Sequence, residues 1–356
     1  MIPYGLQTID DSDVDAVLAV LRSDWLTQGP AVADFEEKVA AYTGAQHAVA
    51  FANGTAALHA AVLAAGLGSG DRVATSSLSF VASANCARYV GADVVFGDID
   101  PKTLNLDPGT LPECDALVAV HYAGLPIDLR ALVHRPRVVI EDAAHAIGAR
   151  TPDGPVGSCA HSDLCCFSFH PVKTITSAEG GMVTTNAADL AARLRRIRSH
   201  GMTPRPDVAP WAYEIDDVGF NYRLSDVHAA LGASQLIRLD EFVARRNALA
   251  ERYDTAFRDL DIGVPPSAPD SVTHGRHLYP VRVRDRAGVY AQLREGGVGA
   301  QVHYIPIHHQ PLYADPAISL PETDAAYEEL LSLPLFPGLT HEDQDTVISA
   351  VRAAIR

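Results

Sequence analysis

Between about residues 45 and 190, short apolar runs rich in β-branched residues alternate with helical runs rich in small residues. His47–Ala52 precedes Ala56–Ala65, and Arg72–Thr75 precedes Ala82–Val90; Val94–Phe96, Leu117–His121 and Val138–Glu141 follow. Strands that are apolar throughout belong to a mostly parallel sheet covered by helices on both faces. Ligands on such sheets collect at the carboxyl ends of the strands, so the polar residues just after each run are the ones to examine. Upstream, Val14, Val17, Leu18 and Leu21 fall at i, i+3, i+4 and i+7 behind acidic and serine caps, which predicts a helix from about Ser12 to Leu21. A second helix is expected from about Val32 to Tyr42, stopping at Gly44. Ser225 to about Phe257 reads as one long helix, and Pro265, Pro266 and Pro269 after it mark a change of domain. The tail then reads as strand-like Leu278–Val283, a helix near Val289–Glu295, strand-like Ala300–Tyr304 and a last helix from about His341 to Ile355. The expected fold class is α/β: a large domain over residues 1–240 with a mostly parallel sheet between helices, then a smaller α+β domain over 241–356.

Composition narrows the function classes. A chain of 356 residues, 47% hydrophobic and 20% charged, can bury a large core, and its formal charge of -16 disfavours nucleic acid or an anionic membrane as partner. Met1–Gly5 has no cationic leader pattern, and no apolar run reaches the roughly 18 residues of a membrane span. These features read as a cytoplasmic protein. The five cysteines are odd in number and lack C-x-x-C spacing, which argues against a disulfide framework or structural zinc. His303, His308 and His309 crowd one segment, but without a ligand spacing such as H-E-x-x-H no metal is expected.

Candidate chemistry sits where the strands end. Lys38, Lys102 and Lys173 are the only lysines, and Lys173 stands in the uncharged run Phe167-Ser168-Phe169-His170-Pro171-Val172-Lys173, where a desolvated amine is able to form a Schiff base. Asn53-Gly54-Thr55-Ala56 turns from strand to helix and offers backbone N–H groups and a hydroxyl to an anion. Asp142 follows the apolar run Val138–Glu141, where an acid is costly unless it meets a cation or a donor. Phe80 is placed to stack on a flat ring, and Gly219–Ser225 is a polar cluster before the long helix. Taken singly, these are a solvated lysine, two helix caps and a core phenylalanine. Together, an anion cradle, an aromatic plate, an acid for a ring nitrogen and a lysine for a carbonyl point to pyridoxal phosphate.

The order and wording of these segments resemble the DegT/DnrJ/EryC1/StrS sugar-nucleotide aminotransferases, which are fold type I pyridoxal-phosphate enzymes, from Leu26-Thr27-Gln28-Gly29-Pro30 to Leu333–Leu339. Ile2-Pro3-Tyr4-Gly5, Ser83–Cys86, Glu141–Ala146, Phe169–Lys173, Arg198–Gly201 and Gln301–Pro306 look most like the subgroup of pseudaminic acid biosynthesis. The resemblance implies that Lys173 holds the cofactor and shuttles the proton, Asp142 pairs with its ring nitrogen and Phe80 stacks on its ring. Thr55, Ala56 and Ser168 would bind its phosphate, joined by Asn221 from the partner subunit of a homodimer. His145 stands where many relatives carry a glutamine near the ring hydroxyl. Substrate contacts are expected at Tyr4, Asp24, Trp25, Leu26, Thr27, Gly54, Ser168, Asn221, His303, Tyr304, Ile305 and Pro306, with Arg223 a candidate for the diphosphate. For the 303–306 stretch, the alternation of Ile305 and Ile307 also suits a plain half-buried strand. The implied substrates are L-glutamate and a UDP-linked 4-keto-6-deoxy-N-acetyl-hexose, or else another 4-keto or 3-keto nucleotide sugar. The related sugar 3-dehydratases carry histidine in place of the lysine, so Lys173 speaks against them.

Overall fold

The computed structural model describes residues 1–355. Helices α1 (Asp11–Leu21) and α2 (Pro30–Thr43) lead into β1 (His47–Phe51), α3 (Gly54–Ala64), β2 (Arg72–Ser76), α4 (Ala82–Tyr89), β3 (Asp93–Gly97), β4 (Ala116–Val120) and β5 (Val138–Asp142). After the two-residue strands β6 (Arg150–Thr151) and β7 (Gly154–Pro155) come β8 (Leu164–Ser168), β9 (Gly181–Thr185) and α5 (Ala188–Arg198). The seven-stranded sheet runs β1-β9-β8-β5-β4-β2-β3, with only β9 antiparallel to its neighbours. Its strands and helices match the alternation read from the sequence. Helix α3 is apolar all round and buried along most of its length, because it lies between the sheet and the outer helices. The opposite face of the sheet is covered by α2 and the helices that follow residue 225.

The remaining elements are the exposed hairpin β10 (Met202–Pro204) and β11 (Tyr213–Ile215), then α6 (Asp226–Leu236), α7 (Leu239–Ala256), β12 (Tyr279–Arg282), α8 (Arg286–Glu295), α9 (Pro321–Glu329), β13 (Leu330–Leu333) and α10 (His341–Ala354). The single long helix expected from Ser225 is two helices. The chain breaks at Ile237-Arg238, where Leu236 and Leu239 both enter the core while Arg238 turns to pair with Asp10 and the buried Asp13. Helix α7 then bridges two cores, with Phe242 and Val243 under the large sheet and Leu249, Ala250 and Tyr253 in a second cluster with β12, β13, α8 and α10.

One further expectation is corrected. Ala300–Tyr304 is not a strand: only Gln301 bridges to Ser332, and His303 and Tyr304 turn their side chains into a cavity instead. Helix α1 forms as expected, with its stripe only partly covered: Val14 is 48% and Leu21 53% exposed, Val17 and Leu18 are half-buried, and the buried residue is Asp13. Asp13 holds α1 against α6 by accepting from Ser234 Oγ (2.7 Å) and Gln235 Nε2 (2.6 Å). Among the described residues no helix is long and apolar enough to cross a membrane.

Candidate active site

A cavity of about 760 Å³ opens at the carboxyl ends of β1, β2, β5 and β8. Roughly 300–1,000 Å³ is usual for small-molecule sites. It is lined by Tyr4, Gly54, Thr55, Ala56, Phe80, Asp142, His145, Ser168, Lys173, His303 and Tyr304, so most of the dispersed sequence candidates converge there. Tyr4 arrives because the N-terminus docks on the C-terminal core: Ile2 N–H donates to Gly297 O (2.8 Å), Gly299 N–H to Ile2 O (2.7 Å) and Leu335 N–H to Tyr4 O (3.0 Å). Its ring meets that of His303 at 5.1 Å.

Lys173 and Asp142 both line this cavity. Burial drives the Lys173 amine down to about 8, and the attraction of Asp142 only partly opposes the drop. Asp142, the last residue of β5, is buried. Its carboxylate is fixed by Ser83 Oγ, which donates to Oδ2 at 2.6 Å, and by the Ala144 N–H, which donates to Oδ1 at 3.2 Å. With its proton committed to Asp142, Ser83 receives the hydroxyl proton of Ser79 at 2.7 Å. Ser83 opens the Ser83–Cys86 stretch of the resemblance, but nothing in the sequence shows that it braces Asp142.

The wall opposite is made of neutral groups. His145 Nε2 lies 3.0 Å from the Tyr304 hydroxyl and its ring packs 4.4 Å from that of His277. Burial, and beside it the positive charge of Lys173, holds His145 well below the usual histidine range; burial also takes His303 down to about 4. Both are therefore neutral at pH 7. His303 Nδ1 is 2.9 Å from Ser332 Oγ, and its carbonyl accepts from Tyr122 Oη at 2.5 Å. His59 and Tyr89, outside the sequence candidates, also line the cavity, as does Tyr222 of the Gly219–Ser225 cluster, whose hydroxyl lies 3.0 Å from His59 Nδ1.

The floor is a tight junction of three backbones. A Cβ on Gly54 would come 2.8 Å from Ser168 Cβ, and one on Gly181 would come 2.4 Å from the Asn53 carbonyl oxygen, so only glycine lets β9 and the β1–α3 turn approach. Asn53 Oδ1 takes the Ala56 N–H (2.8 Å) and its carbonyl takes that of Ala57 (3.1 Å), which leaves the first N–H groups of α3 and the Thr55 hydroxyl facing the cavity. His145 Nδ1 is buried with no hydrogen-bond partner among the described residues. An anion cradle, a braced acid, an amine of lowered pKa and an orphaned ring nitrogen together fit pyridoxal phosphate.

Not every candidate reaches this cavity. Asp24, Trp25, Leu26, Thr27 and Asn221 are exposed outside it, and Ile305 and Pro306 point elsewhere. Leu26 and Thr27 meet the start of α6, where the Leu26 carbonyl accepts from Asp226 N–H at 3.1 Å and Thr27 bridges to Ser225, and Asn221, just before that helix, bridges to Ser199. Arg223 lies beside them and makes no ion pair among the described residues.

Fold and site together define a pyridoxal-phosphate-dependent aminotransferase of fold type I. The sequence matches the profile of the DegT/DnrJ/EryC1/StrS aminotransferase family over residues 7–352. It is 38% identical over 380 aligned residues to the spore coat polysaccharide biosynthesis protein SpsC of Bacillus subtilis, covering 100% of this chain and 97% of that one. It is 36% identical to the UDP-4-amino-4-deoxy-L-arabinose–oxoglutarate aminotransferase of Shewanella sediminis, with 98% and 97% covered. Helicobacter pylori PseC, an aminotransferase involved in the biosynthesis of pseudaminic acid, superposes with a TM-score of 0.92 at 30% identity over 99% of both chains. The chain belongs to the DegT/DnrJ/EryC1/StrS aminotransferase family and is a sugar aminotransferase.

Proposed function

We propose that this aminotransferase is a cytoplasmic enzyme that moves an amino group from L-glutamate to C4 of a UDP-linked 4-keto-6-deoxy-N-acetyl-hexose, UDP-2-acetamido-2,6-dideoxy-β-L-arabino-hex-4-ulose, on the route to pseudaminic acid. The observation that carries the reading is the wall formed by His145, His303 and Tyr304, three residues of the motifs that resemble the pseudaminic subgroup, facing Lys173 across one cavity. The likeness to PseC supports it further.

Bound at this site, pyridoxal phosphate supplies an electron sink for the transferred amine's carbon. Asp142, braced by Ser83, holds a proton on the ring nitrogen. The first turn of α3 with Thr55 and Ser168 holds the phosphate. Lys173 Nζ, uncharged at low cost because of its burial, takes a proton from glutamate's α-carbon and in the second half-reaction returns one to the sugar's C4. Tyr4, His303 and Tyr304 close the outer side and limit water.

The test is a panel of UDP-, GDP- and dTDP-linked keto sugars with L-glutamate, products identified by mass and NMR. The UDP-linked 4-keto-6-deoxy-N-acetyl sugar should give the highest kcat/KM; a preference for a GDP- or dTDP-linked substrate sinks the subgroup reading and favours another 4-keto or 3-keto sugar.

A homodimer with shared sites accounts for the stranded candidates. Val14, Leu21, Trp25, Leu26, Trp211 and Val218 are large apolar residues left at least 48% exposed, and several flank the surface that carries Asp24–Thr27 and Asn221. On this reading that surface completes the partner's cavity, with Asn221 reaching its phosphate. Lys173→Ala and Asn221→Asp should each be severely impaired, whereas mixed dimers regain one intact site. Refolding the two variants together should restore about a quarter of wild-type activity, as random pairing in a two-fold dimer dictates. No gain on mixing would place Asn221 in its own subunit's site or outside any site.

A further inference from the structure

Away from the catalytic cavity, the Ile307–His309 turn meets the first turns of α9. His308 Nε2 lies 3.0 Å and His309 Nε2 2.9 Å from the same oxygen, Asp324 Oδ1, and the three potential ligand atoms lie within 4.8 Å of one another. Zinc bonded at about 2.0–2.1 Å to a tetrahedral donor set spaces its ligand atoms about 3.3 Å apart, so each histidine-to-carboxylate separation needs to open by only a few tenths of an ångström.

The supports around the cluster are buried and already in place. His308 is 9% exposed, and its Nδ1 sits 2.7 Å from Ser77 Oγ, which also accepts the His308 main-chain N–H at 3.0 Å. A hydroxyl on the far nitrogen is what turns a histidine's Nε2 lone pair toward a metal. Asp324 is fixed through its helix: Asp98 accepts from Thr323 N–H (2.8 Å), Thr323 Oγ1 (2.7 Å) and Glu322 N–H (2.9 Å) at the start of α9. His309 is the exposed member, beside Tyr327 at 5.6 Å between ring centroids, and leaves an open side for entry and for water ligands. Two imidazoles and one carboxylate suit zinc and its borderline neighbours rather than magnesium or calcium. Sequence spacing hides this arrangement, because adjacent histidines meet an acid fifteen residues on through a fold contact and not through one helix face.

We propose that His308, His309 and Asp324 bind one zinc-type divalent cation, which clips α9 to the 303–309 segment. That segment carries His303 and Tyr304 of the catalytic wall, and Ser77 joins the clip to the loop bearing Ser79 and Phe80. The cation's place is structural, about the wall and not among the reacting atoms.

Chelator-stripped, desalted holoenzyme should take up one equivalent of Zn(II) in competition with a chromophoric chelator. Co(II) in its place should give visible d–d bands, and Zn(II) should raise the thermal midpoint. His309→Ala removes an exposed ligand without disturbing the core and should weaken Zn(II) by at least about tenfold and abolish the thermal shift. Asp324→Asn should do the same, while His134→Ala, an exposed histidine outside the cluster, should change nothing. Uptake well below one equivalent, or equal affinity and thermal shift in His309→Ala, overturns the proposal.

Discussion

Lys173→Ala should leave a folded protein that loses turnover by on the order of 10³-fold or more, because it removes both the covalent anchor and the proton carrier. Steady-state assay with glutamate and a keto sugar nucleotide measures the loss, and the visible absorbance of the lysine-bound cofactor should vanish with it. The same residue costs stability. Its amine loses its proton at about 8 in the folded protein against an ordinary value of 10.5. Between those values the unfolded chain binds more protons, so stability rises with pH across that window, and below about pH 8 the cost of burying the charge is fully present. In cofactor-free protein, Lys173→Met, which keeps the aliphatic stem, should therefore gain on the order of 1–3 kcal/mol at pH 7 in urea unfolding, and the gain should fade toward pH 10. Unchanged turnover in Lys173→Ala, or a gain of Lys173→Met over wild type no larger at pH 7 than at pH 10, contradicts the placement of the amine.

Asp142→Asn should keep the brace from Ser83 and the shape of the site yet lose the negative charge. The ring proton then has no anionic partner, and kcat should fall about 10³-fold with the cofactor still bound. A second consequence follows from the same geometry. Asp142 is the group that raises the Lys173 pKa against burial, so its loss should move the free amine's titration to lower pH. Labelling of Lys173 by an amine-selective reagent in the cofactor-free variant reads that shift directly. A modest fall in kcat with no change in the labelling profile would mean that the carboxylate serves only as a cap.

The parts of the fold that alternate cleanly were legible in the sequence, and for a physical reason. Strands buried on both faces are mainly apolar rather than alternating, and β1, β4 and β5 carry such runs in Ala48–Phe51, Ala116–Val120 and Val138–Ile140. Lys173, Asp142 and Thr55 were legible because each stands out chemically at the end of such a run. The break at Ile237-Arg238 was not, since both flanks have helix-forming composition and the turn is set by Arg238 reaching Asp13, more than 200 positions away. Nor was the run from Pro321 to Leu333 read as α9 and β13, a short helix passing straight into a four-residue buried strand. The brace on Asp142 was hidden for a related reason: a serine 59 residues upstream carries no signature until β2 and β5 lie in one sheet. The stripe on α1 was legible as a helix, but its periodicity did not show that Val14 and Leu21 stay exposed.

The central claim is that one cavity, holding Lys173 opposite Asp142, stores an amine from glutamate and delivers it to a keto sugar nucleotide. A single-turnover transfer tests it most directly. Holoenzyme is incubated with ¹⁵N-glutamate, freed of it by gel filtration, then given the UDP-linked 4-keto-6-deoxy-N-acetyl sugar. One equivalent of 2-oxoglutarate per site in the first step, and ¹⁵N at C4 of the product in the second, is the outcome expected of the wild type, with neither from Lys173→Ala. Release of 2-oxoglutarate without ¹⁵N in the sugar, or no release at all, would contradict the claim.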